Sequence, residues 1–477
     1  MTEKGFSKTA EALTSGKYFG TDGFRGEANV NLTSLQAYKV GRFLGWYFAN
    51  PLSGCNNAGY RPKIIIGKDT RRSSYMLEYS VAAGITASGA DAYMLHVTTT
   101  PSVSYVTRNE GFDCGVMITA SHNPFYDNGI KVINRYGEKL DDNISALIEA
   151  YLDDNLEPLG VSDGDLPFAK RERIGEIVDF VSGRNRYVGY LISLASHSYK
   201  NLKIGLDCAN GAAWNIARTV FSALGAQIFV LGAEPDGLNV NNDCGSTHTQ
   251  KLCRFVKENR LDIGFAFDGD CDRCIAVDEN GKEVDGDKML YILARRLKAR
   301  NMLSGNTVVA TVMSNSGFFE SLKRADIEVL QTKVGDRFVW ESMQERDFDL
   351  GGEQSGHIII KKYATTGDGL LTAIMITEEL CDTKSTLSKL AEPVTLYPQY
   401  TQNVKVKDKK AALCDPNVLK KKEEVESLIN GKGRALLRES GTEPVVRVMI
   451  EAETKEKCTE YAQMIVDTII SGGHNIE

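Results

Sequence analysis

The sequence lacks any apolar run long enough to span a bilayer, and Met1 to Gly16 contain no apolar segment typical of a secretory signal. It also lacks an excess of positive charge, because 63 aspartates and glutamates outnumber 56 lysines and arginines. The resulting formal charge of -7 argues against broad binding to nucleic acid or to membrane surfaces. We therefore expect a cytoplasmic protein with neither a nucleic acid nor a membrane as partner.

A dense cysteine framework is absent as well. Ten cysteines are scattered between Cys55 and Cys458, which favours free thiols in a reducing compartment over disulfides. Cys271 and Cys274 form one C-x-x-C pair, but one pair without a second is a weak indication of zinc. We interpret both thiols as packing residues.

The chain length indicates several domains, since 477 residues exceed what one hydrophobic core usually holds. Three stretches share a pattern of apolar strand, polar loop, helical segment and second strand, and they begin at Lys63, Lys203 and Thr307. The pattern predicts three related α/β domains with parallel or mixed sheets.

A smaller α+β domain is predicted after Pro393. Gly431 to Glu451 is typical of a strand, a loop and a strand, and an amphipathic helix is predicted from Lys455 to about Ile470. We place the predicted domains at residues 1–170, 171–277, 278–392 and 393–477.

Ser121 lies in the heptapeptide Thr119 to Phe125, directly after the apolar run Gly115 to Ile118. The apolar run predicts a buried strand, so Ser121 is expected on a loop at its carboxyl end, where open α/β sheets bind ligands. A hydroxyl in that place is suited to carry a phosphoryl group. The alternative is a serine that only orders its own loop.

Three aspartates alternate in Asp268-Gly-Asp270-Cys-Asp272-Arg273, after the apolar run that ends at Phe267. In an extended chain, alternate side chains point to one side, so the three carboxylates are expected to converge. Such a cluster needs a cation, and hard oxygen ligands suit Mg²⁺. An EF-hand fails because Arg273 replaces the required glycine, whereas an aspartyl phosphatase with one aspartate as nucleophile stays open.

Three further loops carry groups suited to sugar phosphates. Arg438 to Pro444, with Arg447, combines guanidiniums, hydroxyls and a glycine into a phosphate cradle. Gly351 to His357 offers a carboxylate, an amide, a hydroxyl and an imidazole that can bind sugar hydroxyls. Arg25, among glycines, can stabilise a transferring phosphoryl group. Each loop taken alone is also compatible with an ordinary surface turn.

Together, and in this order, the motifs resemble the α-D-phosphohexomutase family from Phe19 to about Ile450. The resemblance implies an α/β enzyme of four domains, with a central cleft that takes one loop from each domain. Ser121 would be the phosphoserine, and one Mg²⁺ ion would bind it together with Asp268, Asp270 and Asp272. The remaining implied site residues are Arg273 on the phosphoserine, Arg25, His122 and Lys131 in phosphoryl and proton transfer, Glu353, Ser355 and His357 at the sugar, and Arg438, Ser440, Gly441, Thr442 and Arg447 at the phosphate that does not react.

The implied reaction moves a phosphoryl group between the two ends of a hexose or hexosamine phosphate. Glucosamine or glucose 1,6-bisphosphate would be the intermediate and activator. His122 and Lys131 are both candidate proton carriers, Lys131 only if its surroundings lower its pKa. The alternatives are a phosphatase and a sugar-phosphate-binding protein without catalysis.

Several stretches are most similar to the branch of the family that acts on glucosamine phosphates and supplies cell-wall precursors. They are Gln354, Pro235 to Asn239, Cys244 to His248, Thr332 to Arg337 and Thr365 to Gly369. The alternative is a preference for glucose or mannose phosphates. Glu439 stands where that branch commonly has proline, and Cys271 stands where it has a small residue; we predict that Glu439 points away from the phosphate. The sequence leaves the oligomeric state open, a homodimer included.

Overall fold

The computed structural model describes residues 16–20, 22–50, 60–161, 164–440 and 444–476. These residues divide into two compact units, one formed by residues 1–312 and 330–391 and the other by 313–329 and 392–477. Within the described ranges, no helix is both long and apolar enough to cross a membrane.

The first sheet has seven strands in the order β1-β2-β6-β5-β3-β4-β7. Strand β3 is parallel to β4 and β5, whereas β6 is antiparallel to both β5 and β2. The elements of this region are β1 (Phe19–Gly20), β2 (Gly23–Glu27), α1 (Ser34–Ala49), β3 (Lys63–Lys68), α2 (Arg72–Ala87), β4 (Asp91–Val97), α3 (Thr100–Asn109), β5 (Cys114–Ile118), β6 (Asp127–Asn134), α4 (Asp142–Leu152) and β7 (Ile177–Asp179).

Alternation along β3 fills a core on each face of this sheet. Ile64 and Ile66 pack into one apolar cluster, and Ile65 between them packs into the other. Helices α1 and α2 approach closely because α2 carries Gly84, where a Cβ would lie 2.1 Å from the carbonyl oxygen of Tyr38. The β-branched run and the small helix residue therefore set the scaffold from which the Ser121 loop projects.

The second sheet has the order β12-β11-β10-β8-β9, with β8 parallel to β9 and β10. Strand β11 turns back antiparallel to β10. Its region contains α5 (Val181–Ser193), β8 (Lys203–Asp207), α6 (Ala213–Ala223), β9 (Gln227–Leu231), α7 (Gln250–Asn259), β10 (Ile263–Phe267), β11 (Cys274–Val277) and β12 (Glu283–Val284).

The third sheet has the order β14-β13-β15-β16. Strand β15 is parallel to β13 and antiparallel to β16. Its region contains α8 (Gly286–Ala299), β13 (Thr307–Thr311), α9 (Ser316–Arg324), β14 (Glu328–Thr332), α10 (Asp336–Glu345), β15 (Leu350–Gly352), β16 (Ile358–Ile360), α11 (Gly369–Thr383) and α12 (Leu387–Ala391). The three predicted repeats, at Lys63, Lys203 and Thr307, each form a strand, a helix and a neighbouring strand, which confirms mixed α/β sheets.

The second compact unit contains an antiparallel sheet in the order β17-β19-β18. Its elements after residue 392 are β17 (Gln399–Lys405), α13 (Lys409–Cys414), α14 (Pro416–Ile429), β18 (Arg434–Glu439), β19 (Val445–Glu451) and α15 (Lys455–Ser471). The predicted strand, loop, strand and helix are thereby confirmed. Strand β17 and helices α13 and α14 were not predicted; in α14 the charged run Lys420 to Glu424 obscures the helical spacing of the buried residues Val418, Val425 and Ile429.

Candidate active site

Each of the four motif loops joins two antiparallel strands. Ile118 of β5 pairs with Ile130 of β6, and the Ser121 loop lies between them. The aspartate loop joins β10 to β11, the Glu353 loop joins β15 to β16, and the Arg438 loop joins β18 to β19. Each loop therefore lies at the end of two strands of its own sheet, where backbone and side-chain groups outside the strand pairing can bind a ligand.

Ser121 has an unusual backbone for a residue other than glycine. Its φ of 51° lies in the left-handed region, and the residue is completely buried. The Ser121 N–H donates to Thr119 Oγ1 at 2.9 Å. A left-handed conformation costs about 1–2 kcal/mol for an L-residue, so the surrounding structure must hold it. Such stored strain is characteristic of functional loops.

The three aspartates of the β10–β11 connection converge, but not because the chain is extended. Residues Asp268 to Arg273 form turns, and Cys271 has a φ of 60°. The carboxylates of Asp268, Asp270 and Asp272 each place an oxygen within 4.8 Å of the others, and all three residues are buried. The predicted convergence therefore holds, whereas the predicted extended geometry is wrong.

The Ser121 hydroxyl lies directly on this carboxylate cluster. Ser121 Oγ donates to Asp268 Oδ2 at 2.6 Å. The two loops come this close because Gly269 lacks a side chain; a Cβ there would lie 2.5 Å from the Ser121 carbonyl oxygen. The Ser121 hydroxyl and the carboxylate cluster thus share one wall.

Two carboxylate oxygens of the cluster make no hydrogen bond in the described part of the chain. Lys131 Nζ lies 2.7 Å from Asp270 Oδ2 and 3.1 Å from Asp272 Oδ2, and Thr100 Oγ1 donates to Asp270 Oδ2 at 2.5 Å. Among the described residues, Asp270 Oδ1 and Asp272 Oδ1 are buried without a hydrogen-bond partner. Buried oxygens left in this state fit a hard divalent cation of the Mg²⁺ type.

The pKa values of two carboxylates of the cluster are shifted in opposite directions. Burial, with the charges of Asp272 and Asp270, raises the pKa of Asp268 well above its usual range. Burial acts on Asp272 in the same direction, but Lys131 and His357 hold the pKa of Asp272 well below its usual range. A cation would favour the ionised form of Asp268, so metal binding is expected to release a proton there.

His122 is a neutral imidazole beside the serine. Burial, followed by the charges of Arg273 and Arg25, lowers the pKa of His122 to about 4. Its Nδ1 lies 3.0 Å from Arg273 Nη1 and 3.4 Å from Ser121 Oγ. Because the guanidinium can only donate, Nδ1 is an acceptor and the ring proton belongs on Nε2.

The charges of Arg25 and Arg273 both act on His122, so the two guanidiniums lie near the Ser121 loop. Arg25 Nη2 donates to Asp22 Oδ2 at 2.6 Å, and the backbone N–H of Arg273 donates to Asp268 Oδ1 at 3.2 Å. Within the described chain, the Nε atoms of both arginines are buried and make no hydrogen bond. These N–H groups are available to the oxygens of a phosphoryl group.

Lys131 does not meet the condition under which it would carry protons. Burial tends to lower its pKa, but Asp270 and Asp272 raise the pKa of Lys131 above its ordinary value. The ammonium therefore stays charged. The condition stated for proton transfer by Lys131, a lowered pKa, is not met, and we interpret its role in the site as electrostatic.

The Glu353 loop lies in the same compact unit as the serine and the aspartates. Burial raises the pKa of Glu353, while His357 and Arg273 act to lower it. Gly335 N donates to Glu353 Oε1 at 3.1 Å, and the Ser355 Oγ is buried without a hydrogen-bond partner in the described chain. A half-exposed carboxylate and a hydroxyl are thus available to sugar hydroxyls or to an amino group.

His357 and Gln354 tie the Glu353 loop to other parts of the same compact unit. Gly367 N donates to His357 Nε2 at 3.0 Å, and Nδ1 lies 3.8 Å from Asp272 Oδ2, so the buried ring links the Glu353 loop to the aspartate cluster. Gln354 Nε2 donates to Asp285 Oδ2 at 3.1 Å. Gln354 therefore anchors the loop, although the sequence singled it out for its link to sugar preference.

The phosphate cradle is described only in part, since Gly441 and Thr442 lie outside the described residues. Arg438 and Arg447 are directly opposite on β18 and β19, hence on one face of the sheet. Burial and the charge of Arg447 lower the pKa of Arg438. Two adjacent guanidiniums favour an anion between them.

Lys409 adds a third cation to the cradle. Its Nζ donates to the Ser440 carbonyl oxygen at 2.7 Å. Glu439 is exposed and alternates with Arg438 along β18, so its side chain points to the opposite face from the two arginines, as predicted. Its carboxylate therefore does not compete with an anion bound there.

Sequence models of phosphoglucomutase/phosphomannomutase domains match the chain in four consecutive segments. Three are alpha/beta/alpha domains I, II and III, at residues 16–158, 185–281 and 285–397, and the fourth is the C-terminal domain at residues 402–468. The chain belongs to this phosphohexomutase family. Its four-domain α/β architecture is the one expected from the sequence, and the predicted boundaries between the domains stay a prediction.

Named relatives of this phosphohexomutase match nearly its whole length. A phosphoglucosamine mutase of Lachnospira eligens is 56% identical over 97% of the chain and 100% of the relative. A Burkholderia thailandensis phosphoglucomutase/phosphomannomutase family structure superposes with a TM-score of 0.76 at 22% identity, covering 97% and 99% of the two chains. An Aspergillus fumigatus N-acetylphosphoglucosamine mutase in complex with GlcNAc-6P and magnesium gives a TM-score of 0.66 at 18% identity, covering 98% and 99%. The two structures show the shared fold.

Several residues near the site of this phosphohexomutase were missed by sequence reasoning. Lys139 Nζ lies 3.1 Å from Asp22 Oδ1 and 2.6 Å from Asp336 Oδ1, and Asp336 Oδ2 lies 3.5 Å from His357 Nε2. The chain of charges runs from the Arg25 loop to the Glu353 loop. Asp336 belongs to the Thr332 to Arg337 stretch that had been noted only for its similarity to one branch, so the signal was present without an assigned role.

The two rival cation readings find no support in the described residues. The aspartate loop is flanked by strands β10 and β11, not by the helices of an EF-hand. Cys271 and Cys274 are buried free thiols, and burial raises the pKa of each well above its ordinary value. They are packing residues, as expected, and not thiolate ligands.

Proposed function

We propose that this phosphohexomutase interconverts glucosamine 6-phosphate and glucosamine 1-phosphate, with Ser121 as the phosphoryl carrier. The proposal rests on the position of Ser121. Its backbone is left-handed, and its Oγ lies 2.6 Å from Asp268 Oδ2 in a buried carboxylate cluster. The 56% identity to a phosphoglucosamine mutase over nearly the whole chain supports the choice of sugar.

One Mg²⁺ ion is proposed as the resident cation. Asp268, Asp270 and Asp272 would hold it with the phosphoserine, and it would neutralise charge on the phosphoryl oxygens when bound. The buried, unpartnered oxygens of Asp270 and Asp272 support this within the described chain. A relative by fold was solved with magnesium, which agrees with the donor set.

In the proposed reaction, the phosphoryl group leaves Ser121 Oγ as a sugar hydroxyl attacks phosphorus. The bond from phosphorus to the serine oxygen breaks and a bond to the sugar oxygen forms, giving a 1,6-bisphosphate. The hydroxyl proton needs an acceptor, and Nδ1 of the neutral His122 imidazole can take it when the Arg273 guanidinium donates to the phosphoryl oxygens in place of Nδ1. Arg25 and Arg273 stabilise the charge on the transferring group.

The second half of the reaction returns the other phosphate to Ser121 after the sugar has turned over. Glu353 and Ser355 are proposed to orient the sugar, and the glucosamine amino group suits the Glu353 carboxylate. Arg438, Ser440 and Arg447 are proposed to hold the phosphate that does not react, together with Gly441 and Thr442, which lie outside the described residues. Glucosamine or glucose 1,6-bisphosphate would act as intermediate and activator.

A comparison of kcat/KM among sugar phosphates decides between a preference for glucosamine phosphates and one for glucose or mannose phosphates. We expect kcat/KM for glucosamine 1-phosphate to exceed the values for glucose 1-phosphate and mannose 1-phosphate by about 100-fold or more, since the half-exposed Glu353 carboxylate favours a cationic partner. Equal or inverted constants would assign the enzyme to glucose or mannose phosphates. A cytoplasmic location and a homodimer remain predictions.

A further inference from the structure

Arg71 is a completely buried arginine whose guanidinium grips the backbone of the Ser121 loop. Its Nη2 donates to the carbonyl oxygens of Ser121 at 2.9 Å and Asn123 at 2.8 Å. Its Nη1 donates to the carbonyl oxygen of Asp127 at 3.0 Å and to that of Pro124. One planar group thus collects the carbonyls of a turn that would otherwise carry unsatisfied buried acceptors.

Asn241 reaches the same loop from the second α/β region. Its Nδ2 donates to the Ser121 carbonyl oxygen at 2.8 Å and to the Asn123 carbonyl oxygen at 3.1 Å. Asn241 is itself buried and left-handed, with a φ of 57°. The carbonyl of the serine therefore accepts from two side chains that come from different sheets.

Asp69 completes the support on the other side of the serine. Its carboxylate accepts from Arg71 Nε at 2.7 Å and from Thr119 Oγ1 at 2.7 Å. The same Thr119 Oγ1 accepts the Ser121 N–H at 2.9 Å. The N–H and the C=O of Ser121 are consequently both fixed, and this is what holds its left-handed backbone against the usual preference.

We propose that Arg71 and Asn241 are positioning residues that hold Ser121 left-handed, so that its Oγ stays on the aspartate cluster during phosphoryl transfer. The inference rests on the proposed function of Ser121. Neither side chain contacts Oγ, so both act through the backbone of the loop. A displacement of about 1 Å at a reacting atom costs on the order of 100-fold in rate, which sets the size of the expected effect.

The first test replaces the planar fork with a single ammonium. Arg71→Lys keeps the charge but cannot reach four diverging carbonyls, so we expect kcat to fall about 100-fold while KM for glucosamine 1-phosphate changes by less than about 2-fold. Hydrogen exchange at Thr119 to Asn128 should become faster. The matched control is Arg72→Lys: Arg72 is exposed, and it contacts Gly237 through its backbone N–H.

A second variant answers the case in which Arg71→Lys does not fold. Asn241→Asp has nearly the same shape, but it points an oxygen at two carbonyl oxygens in place of the N–H donor. We expect the same loss of kcat with unchanged KM, with kcat expressed per folded enzyme because a buried carboxylate facing two carbonyl oxygens also lowers the melting temperature. Asn242→Asp, at an exposed neighbouring residue, is the control and should behave as the wild type.

A rescue experiment separates positioning from general stability. In Arg71→Ala, millimolar guanidinium should restore part of kcat and should slow exchange at the loop, whereas sodium at the same ionic strength should do neither. Wild-type kcat in both Arg71→Lys and Asn241→Asp, or activity that falls only in proportion to folded protein, would overturn the inference.

The two proposals fail in different ways. If the wild type carried no phosphoryl group on Ser121 and had no mutase activity, the proposed function would fall, whatever the variants did. If the wild type were an active phosphoserine enzyme and Arg71→Lys retained its kcat and its loop protection, only the positioning role would fall.

Discussion

His122 illustrates how neighbours set chemistry at the scale of one residue. The ring follows Ser121 directly, yet its protonation is decided by burial and by Arg273 and Arg25, which come from other loops. Lys131 is the opposite case, since two aspartates keep it charged. The sequence offered both residues as candidate proton carriers, Lys131 only with a lowered pKa, and in the structure the pKa of Lys131 is raised.

We expect His122 to titrate at a pKa of about 4, and not near its ordinary value of 6.5. Because the folded pKa is depressed, the unfolded state binds more protons between about pH 6.5 and pH 4. His122 therefore contributes stability that is present above pH 6.5 and is lost as the pH falls to about 4, with a slope of at most about 1.4 kcal/mol per pH unit.

The check is the difference between the wild type and His122→Asn, followed by urea unfolding from pH 7 to pH 4. Taking the difference removes the contribution of Asp268, whose raised pKa acts in the opposite direction. An NMR titration of the imidazole gives the pKa directly. A His122 resonance that titrates near pH 6.5 would contradict this assignment.

At the scale of elements, the start of α10 joins two of the motif loops. Gly335 N holds the Glu353 carboxylate, and Asp336 lies between Lys139 and His357. Apolar runs and turn residues in the sequence were sufficient to predict β5, β10 and the strand pairs of the repeats. They could not predict this junction, because a polar helix start gains its partners only when distant segments meet.

We expect Asp336→Asn to destabilise the fold by about 1–3 kcal/mol and to lower kcat/KM for the sugar phosphate. The change removes one of the two carboxylates that pair with the Lys139 ammonium, since Asp22 stays at 3.1 Å, and it loosens the Glu353 loop. Thermal unfolding and steady-state kinetics test both effects. The control is Asp347→Asn, since Asp347 pairs with Lys361 at the surface and should unfold like the wild type. Equal behaviour of the two variants would contradict the role of Asp336.

Much of the candidate site was foreseen because its residues stand in short motifs. Asp268, Asp270 and Asp272 do gather, but through turns and a left-handed Cys271 that alternation could not reveal. Arg71 was only part of a loop after a strand, and its four carbonyl partners become visible only when β3, β5 and β6 are assembled. Tertiary contacts of this kind have no local sequence signal.

At the scale of the whole molecule, the protein carries a formal charge of -7 and has no surplus of basic residues. The repulsion among the buried carboxylates must therefore be balanced locally, by a cation or by a basic side chain. Lys131 supplies part of that balance. Four family domains in one chain supply the separate loops, and the same division explains why the sequence falls into repeats.

We expect Mg²⁺ to stabilise the folded protein and chelation to abolish mutase activity. A ligand that binds only the native state adds about 2.7 kcal/mol at 100 times its dissociation constant, which a thermal melt with and without Mg²⁺ detects. Asp270→Asn should remove the Mg²⁺-dependent shift, whereas Asp243→Asn, at an exposed aspartate, should retain it. A shift of equal size in both variants would place the ion elsewhere.

The central claim is that Ser121 carries the phosphoryl group, and intact-protein mass spectrometry tests it most directly. The purified protein should show one added phosphoryl group, which should be lost on incubation with glucosamine 6-phosphate as the bisphosphate forms. Ser121→Ala should show no such group and no mutase activity, while Ser193→Ala, at an exposed helical serine, should match the wild type. A Ser121→Ala variant that keeps the phosphoryl group, or keeps full mutase activity, would contradict the account.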